Sequence, residues 1–396
     1  MKKTDWLCIF LTTFCPLAQL PAATLEIPTD ISQKAKPLTL KVLLTKLAEE
    51  ATLEVKGRFR IYNPRTHQMI ESGKNKWDRI TYTESGLKWG GLFPGQFELR
   101  LVPADEKTQI LLGGVPYKGC LEIYGVGGTV NVINEVDLEN LLKATLASKI
   151  ETTELHSEEV FDALVIAERT RLAFLSHKHP LATWHVSASE LGYTGNPKEN
   201  PLLCDAIERT QGMVMHIDSH LFPATWTPHA AGRTVSYASI FRKGVPLPKG
   251  VVQLPSQISK EETKWNASIP KSVLAKLTKL DQVDQVELFK AEGSSKVYAL
   301  RLSCGNHCAN LDFLTLQKAI GPTLLPSNDF SIKVEEESVL FTGYGEGLGV
   351  GLCLASAQIL AEQQEDARKI LVIHFPGIKL QRLETPKEDS FAFIWR

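Results

Sequence analysis

Three short segments of the chain carry residue types that could do chemistry. In the first, every second residue from Gly343 to Gly351 is glycine, and a helical pattern follows. Such a loop could offer backbone N–H groups to a phosphate, but its spacing matches neither the dinucleotide fingerprint nor the P-loop. Because glycines lack a Cβ, this loop could instead let the backbone approach closely either a ligand or a packed strand. Gly345, Gly347 and Gly349 are therefore candidate binding residues.

The second segment is a small-residue turn that ends in an arginine. Arg233 follows Ala230-Ala-Gly232 and precedes Thr234. A guanidinium presented by a tight turn can donate two parallel hydrogen bonds to a carboxylate or to sugar oxygens. The alternative is a structural salt bridge.

The third segment contains Glu151, in the gap between two predicted helices and next to Ile150. A carboxyl group beside apolar neighbours can have a raised pKa and can then serve as a general acid. The alternative is a solvated loop carboxylate, which is the usual state of glutamate.

The elements that must position these segments change along the chain. Residues 38–135 alternate apolar and polar side chains over short runs broken by Gly, Asn and Pro, which predicts strands. Helical spacing begins at Val136, with Asp137 as the candidate N-cap, and a second helix is predicted from Ser157 to Lys178. We therefore expect an α+β fold, with a β-rich N-terminal part and a mixed α/β core.

The later chain is predicted to be mixed. Residues 183–240 read as strands and loops, strands resume at Lys296, and one last helix is expected from about Leu354 to Ile370. The predicted organisation is a signal peptide (1–23), a β-rich N-terminal region (24–105), a core domain (106–382) with a polar insertion around 246–290, and a C-terminal tail (383–396).

Composition excludes two classes of protein. Hydrophobic residues make up 43% of the 396 residues and charged residues 22%, which argues against a disordered chain. Lys and Arg number 44 against 45 Asp and Glu, a formal net charge of −1. Nucleic-acid binders usually show a basic excess, so no nucleic-acid partner is expected.

The first residues resemble a secretory signal peptide. Lys2 and Lys3 precede an apolar run, and Pro21-Ala-Ala23 supplies small residues for cleavage. The run is too short for a membrane-spanning helix, and no later stretch is long enough. We therefore expect an exported protein of the periplasm or cell envelope.

Cysteines give little sign of a metal. After the predicted cleavage five remain, and Cys304, His307 and Cys308 are the only cluster. A structural zinc site needs about four ligands, so this cluster is expected to be a local disulfide or two unpaired thiols. We expect neither a metal nor a cofactor.

Taken in order, many segments resemble motifs of the SpoIID family of exported peptidoglycan-active proteins, which includes the LytB amidase-enhancer type. The resemblance runs from about residue 38 to residue 380. The matching segments are Tyr117–Ile123, Asn134 with Leu138-Glu139, Glu159–Thr170, Tyr193-Thr-Gly195, Thr210-Gln-Gly212, Ala231–Thr234, Gly343–Ala357 and Ile370–Gly377.

The resemblance implies a lytic transglycosylase. One Glu would protonate the bridging oxygen between MurNAc and GlcNAc, and the muramoyl C6 hydroxyl would then attack the anomeric carbon. Because the nucleophile is internal, one acid/base carboxylate suffices where ordinary glycosidases use a pair. The implied substrate is glycan whose peptides an N-acetylmuramoyl-L-alanine amidase has removed, in cell division or wall remodelling.

The position of the implied catalytic Glu depends on how residues are counted. Counting forward from Glu139 without a gap reaches Lys149, whereas counting back from Glu159 and Arg169 reaches Glu151. A two-residue insertion reconciles the counts, and Glu151 is the predicted catalytic residue. The resemblance also implies that Arg169, Tyr193, Arg233 and the three glycines position the cleft or bind the sugar.

Four residues depart from the family pattern. Leu348 and Thr227 stand where the family has histidines, and Cys353-Leu354 replaces a Ser-Gln pair. These replacements remove polar groups from the expected cleft. The alternative function is therefore a non-catalytic peptidoglycan-binding protein or an amidase enhancer.

Overall fold

The computed structural model describes residues 38–147, 149–150, 155–195, 200–240, 246–251, 254–255 and 259–383. The predicted signal peptide, Glu151 and all but the first residue of the predicted tail lie outside these ranges. Within them, none of the helices combines the length and the apolar character needed to cross a membrane.

The described residues form the predicted α+β fold. The strands are β1 (Thr39–Ala48), β2 (Glu50–Tyr62), β3 (Met69–Thr83), β4 (Gly86–Trp89), β5 (Gly91–Leu92), β6 (Glu98–Pro103), β7 (Gln109–Leu112), β8 (Val115–Tyr117), β9 (Cys120–Val126), β10 (Thr129–Asp137), β11 (Val186–Ser187), β12 (Met213–His216), β13 (Trp226–Thr227), β14 (Lys264–Pro270), β15 (Gln285–Lys290), β16 (Val297–Cys304), β17 (His307–Asp312), β18 (Phe330–Val334), β19 (Ser338–Tyr344), β20 (Leu352–Cys353) and β21 (Lys379–Arg382). The helices are α1 (Leu138–Ala147), α2 (Glu158–Lys178), α3 (Ala188–Leu191), α4 (Pro201–Arg209), α5 (Lys271–Thr278), α6 (Phe313–Ile320), α7 (Leu354–Glu362) and α8 (Ala367–His374).

Most of the early strands form one large sheet. Its order is β11-β1-β10-β9-β6-β2-β3-β4-β5, with β7 beside β2 and β8 beside β7. The predicted domain boundary at residue 105 falls inside this sheet, because β6 before it pairs with β9 after it. Alternating apolar residues of these strands pack into a strand cluster that includes Leu53, Phe59, Ile80, Trp89, Leu99 and Ile123.

Helix α2 is the centre of the second core. Thirteen of its residues are buried, on nearly every side of the helix, which is typical of a helix surrounded by other elements. It packs against α1, α4, α7, α8 and β12. Together they form the helix cluster, which includes Leu141, Leu142, Phe161, Leu164, Leu352 and Ile370.

A third unit lies between residues 264 and 344. It contains the sheets β14-β19-β18 and β15-β16-β17 with α5 and α6, around a cluster that includes Leu274, Leu300 and Phe341. The predicted insertion at 246–290 covers only its first part, because β14 pairs with the distant β19.

The prediction of one last helix from about Leu354 to Ile370 was wrong. Two helices, α7 and α8, occupy the stretch from Leu354 to His374. Gln364 adopts a left-handed conformation (φ 66°), which ends the first helix, and the Asp366 side chain accepts a hydrogen bond from the Lys369 N–H to begin the second.

Candidate functional site

Arg169 joins three of the motif segments. Its side chain is fully buried, and its Nε and Nη2 each donate to the Glu139 carboxylate at 2.9 Å. Its other N–H groups donate to the Thr210 hydroxyl at 3.1 Å and to the carbonyls of Met213 and Ile207. All five guanidinium donors are thus used. Arg169 therefore positions α1, α2 and the turn after α4, and has no donor left for a sugar.

Tyr193 also joins motif segments to one another. It is buried, and its hydroxyl donates to Asn134 Oδ1 at 2.8 Å. The Asn134 amide in turn donates to the carbonyls of Lys118 and Cys120. Burial raises the pKa of Tyr193, which keeps the hydroxyl protonated as a donor. Two further motif segments are joined in this way.

The alternating glycines let two loops touch. Gly345 and Gly347 both have positive φ, at 74° and 94°, where side chains are strained. A Cβ on Gly345 would stand 2.5 Å from the His229 carbonyl, and one on Gly347 would collide with the Thr227 side chain. The N–H groups of both glycines bond to Thr263 and Pro326. Packing, which was one of the two expectations for this loop, thus accounts for both glycines.

Gly349 packs in the same manner against a buried cation. A Cβ there would collide with the Lys296 side chain. The Lys296 ammonium donates to the Ala230 carbonyl at 2.9 Å and pairs with Asp329 at 3.1 Å. The third unit thereby holds the loop that carries Arg233.

Arg233 is the predicted binding residue that keeps a free donor. It is half-buried, and its buried Nε has no hydrogen-bond partner in the described part of the chain. A buried unpartnered donor is unfavourable, so the Arg233 Nε–H has a hydrogen bond to gain from any acceptor that reaches it.

Glu151 lies outside the described residues, but Ile150 and Leu155, on either side of its segment, are described. Ile150 and Leu155 are both buried in the helix cluster. The described chain therefore stops and resumes within this cluster, between α1 and α2.

A buried charged cluster stands at this junction. Glu168 of α2 is 1% exposed, and its carboxylate accepts two hydrogen bonds from Arg171, one of them at 3.0 Å. The indole N–H of Trp226 also donates to Glu168. Burial opposes ionisation, but the charges of Arg171 and Lys149 outweigh it and lower the pKa of Glu168. The carboxyl group is therefore an anion that binds its neighbours.

Lys149 lies at the edge of this cluster and is exposed. Loss of hydration around the Lys149 ammonium lowers the pKa of Lys149. The negative charge of Glu168 opposes this shift, and the positive charge of Arg171 adds to it. Lys149 forms no ion pair with another described residue, whereas Arg171 is held by Glu168.

Two positions that depart from the expected pattern, Thr227 and Leu348, are closed to solvent or apolar. Thr227 is fully buried, and its hydroxyl donates to the Glu346 carbonyl. Leu348 is half-buried and packs against both the helix cluster and the third unit. Neither presents a polar group to an open cleft.

Sequence reasoning did not single out Glu168, Arg171 or Trp226. One signal was present: Glu168, Arg169 and Arg171 lie close together in a largely apolar stretch of a helix, so at least one charge had to be buried and paired.

Among the described residues no group of three or more His, Cys, Asp or Glu side chains is placed to hold a metal ion. Cys304 and Cys308 lie on the β16–β17 hairpin as free thiols.

Comparison with known proteins places the chain among bacterial relatives. No protein-family model matches it. An uncharacterized protein of Brachyspira hyodysenteriae is 23% identical over 364 residues, 90% of this chain and 96% of that protein. An uncharacterized Chlamydia pneumoniae protein is 31% identical over 159 residues, 39% of this chain and 57% of its own length.

A third relative shows the family. An uncharacterized protein of Chlamydia muridarum is 30% identical over 200 residues, 49% of this chain and 68% of that protein. The chain belongs to the same family as this Chlamydia muridarum protein. Because all three relatives are described as uncharacterized, the likeness brings no activity to this chain.

Proposed function

We propose that the protein binds the glycan strands of peptidoglycan in the cell envelope and cleaves them as a lytic transglycosylase. The observation that supports this is the mutual contact of the motif residues. Arg169 bonds to Glu139 and Thr210, and Tyr193 bonds to Asn134, although these residues are far apart in the sequence. A chance likeness of scattered motifs would not be expected to give such contacts.

Glu151 is the proposed acid and base. As the C1–O bond between MurNAc and GlcNAc breaks, the carboxylic acid gives its proton to the bridging oxygen. The carboxylate then takes the proton of the muramoyl C6 hydroxyl, whose oxygen bonds to C1, so no water is consumed. Arg233, whose Nε has no partner among the described residues, is the proposed donor to the sugar.

A second candidate function is a non-catalytic wall-binding protein or amidase enhancer. It is favoured by Thr227, whose hydroxyl is buried and bonded, and by Leu348, which is apolar. Both stand where the SpoIID resemblance has histidines. Under this proposal the contacts among the motif residues are kept, and the glycan-cleaving activity is lost.

Product analysis on amidase-treated glycan separates the two proposals. We expect the mature protein to release chains with 1,6-anhydroMurNAc ends, and Glu151→Gln to lower the rate about 100-fold or more, because the proton donor is lost. Glu154→Gln in the same segment is the matched control and should keep the rate.

Absence of anhydro products from the wild type, or a full rate in Glu151→Gln, would contradict catalysis by Glu151. Pelleting with sacculi and faster amidase action without cleavage would then support the second candidate. If the protein does not bind sacculi at all, both proposals fail.

A further inference from the structure

The sheet β15-β16-β17 packs one of its faces against the core of the third unit and leaves the other face open. Residues that point into the core alternate with residues of the open face, as expected for strands. On the open face, here called the outer face, the strand pairing places Glu287 opposite Arg301 and Arg301 opposite Asn310. None of the segments that carry the SpoIID resemblance lies in this sheet.

A β-bulge turns Tyr298 onto the outer face. Phe289 pairs with Ala299 and Lys290 with Val297, so Tyr298 is the extra residue of β16. Regular alternation would point the Tyr298 side chain into the core, and the bulge breaks that alternation. The Tyr298 ring stacks instead on Phe289, with the ring centroids 6.1 Å apart and the planes 22° from parallel. Because Tyr298 is still 39% exposed, a fixed aromatic ring is presented to solvent.

Arg301 is held beside this ring by three contacts. Its guanidinium carbon lies 4.9 Å from the centroid of the Phe289 ring, and its Nε donates to Asn310 Oδ1 at 3.2 Å. Its Nη1 is 3.8 Å from the Glu287 carboxylate, and the side chain keeps 45% of its surface exposed. A guanidinium fixed in this way loses little conformational freedom when it donates to one more acceptor.

The chemistry of the outer face fits a sugar better than other ligands. The charges of Glu287 and Arg301 oppose each other and the Asp312 carboxylate caps α6, so the face lacks the basic excess that a polyanion requires. One exposed ring is also too little apolar surface for a lipid bilayer. A sugar ring, in contrast, has a C–H face that can lie on Tyr298 and hydroxyls that need nearby donors and acceptors, which Arg301, Asn310 and Glu287 supply.

We propose that the outer face is a second glycan-binding site, at which Tyr298 stacks on a sugar ring and Arg301 donates to the sugar oxygens. The site holds a strand and takes no part in breaking its bonds. The identity of the ligand, a peptidoglycan strand, rests on the proposed function. The site itself is built from residues that the SpoIID resemblance does not include.

Equilibrium binding to amidase-treated glycan strands tests the proposal. Tyr298→Ala and Arg301→Met should each weaken binding about tenfold, because each removes one contact with the sugar. Tyr298→Phe keeps the ring and should bind like the wild type. Leu324→Ala is the matched control and should also bind like the wild type, since Leu324 is a 58% exposed apolar residue of the third unit that lies outside this sheet.

A second measurement needs no substitution. Cys308 is an exposed free thiol on the outer face, opposite Ser303. Bound glycan should slow the alkylation of Cys308 by a maleimide severalfold, because the strand covers that face. Alkylation of the half-buried Cys204, in α4, should not change. Mass spectrometry of the labelled peptides gives both rates.

The possible results separate this site from the proposed function. Wild-type affinity in Tyr298→Ala, or equal alkylation of Cys308 with and without glycan, would overturn the second site and leave the proposed function standing. Weaker binding in Tyr298→Ala and Arg301→Met, with thermal unfolding like that of the wild type, would support it. The same result without anhydro products would still support the second site and would remove only the catalytic proposal. Failure of the wild type to bind the strands would overturn both.

Discussion

Arg169 and Arg171 lie two residues apart on α2 and have different surroundings. The first is fully buried and uses all its donors to hold protein groups, whereas the second keeps part of its surface and shares one carboxylate with Trp226. The spacing of charged residues on a helix predicts neither outcome, because what each side chain meets is decided by elements that are far away in the sequence. Arg169 thus holds α1, α2 and the turn after α4 together, and Arg171 belongs to the buried charged cluster around Glu168.

At the residue scale, Glu168→Gln should destabilise the protein by about 3 kcal/mol, because it leaves Arg171 partly buried without its counter-charge. The measurement is urea unfolding at neutral pH. Glu287→Gln is the control, since Glu287 and Arg301 form an exposed pair whose loss should change stability by less than about 0.5 kcal/mol. Equal effects of the two substitutions would show that the Glu168 pair is no stronger than a surface pair.

At the scale of elements, the glycine loop after β19 and the loop after β13 form one packed unit. Val235 N–H donates to the Gly349 carbonyl, and His229 and Glu346 exchange backbone hydrogen bonds. The loops touch so closely that side chains are excluded from the glycine positions between them. This contact holds the turn that carries Arg233 in place.

Gly347→Ala should therefore cost about 3 kcal/mol of stability, because a methyl group would collide with Thr227 in addition to straining the backbone. Gly293→Ala is the matched control: Gly293 also has a positive φ, 61°, but faces open space, so only the conformational cost of about 1 kcal/mol is expected. Chemical denaturation gives both values. If the two variants lose the same stability, the loop contact is looser than the structure indicates.

The sequence predicted some of these elements well and could not predict others. Helix α2 was expected from Ser157 to Lys178 and spans Glu158–Lys178, because its capping residue and apolar spacing are local signals. The break between α7 and α8 depends on Gln364, which adopts a left-handed conformation. Gly and Asn are the residues that usually predict this conformation, and neither stands at this position. The pairing of β1 with β11 joins residues more than a hundred positions apart. Glu168 escaped notice for the same reason, because its partner Trp226 comes from another part of the chain.

At the scale of the whole molecule, the helix cluster and the third unit meet at the loop that precedes Arg233. The buried Lys296–Asp329 pair belongs to the third unit, and its ammonium reaches the Ala230 carbonyl. Burial of this ion pair costs desolvation free energy, but the pair and its hydrogen bond fix the positions of the groups that they join. Movement of the third unit would therefore shift the turn that presents Arg233.

The protonation of one buried and three half-buried histidines makes the stability of this assembly depend on pH. His374 of α8 is 1% exposed, and its Nδ1–H donates to the Ile370 carbonyl. Burial lowers the pKa of His374 to about 4. Burial also lowers the pKa of His185, His216 and His229. The folded protein thus keeps these side chains neutral where the unfolded chain would already bind protons.

The sign of the effect follows from that difference. Between pH 6.5 and 4 the unfolded chain binds more protons at position 374 than the folded protein, so stability falls as pH falls, by about 3 kcal/mol from this residue alone. His374→Gln should flatten the curve of unfolding free energy against pH over this window, whatever its effect at pH 7. His67→Gln, at an exposed position, should leave the shape unchanged. A curve of unchanged shape in His374→Gln would mean that this imidazole is protonated in the folded protein, and that α8 is less tightly packed against the rest of the molecule than its burial implies.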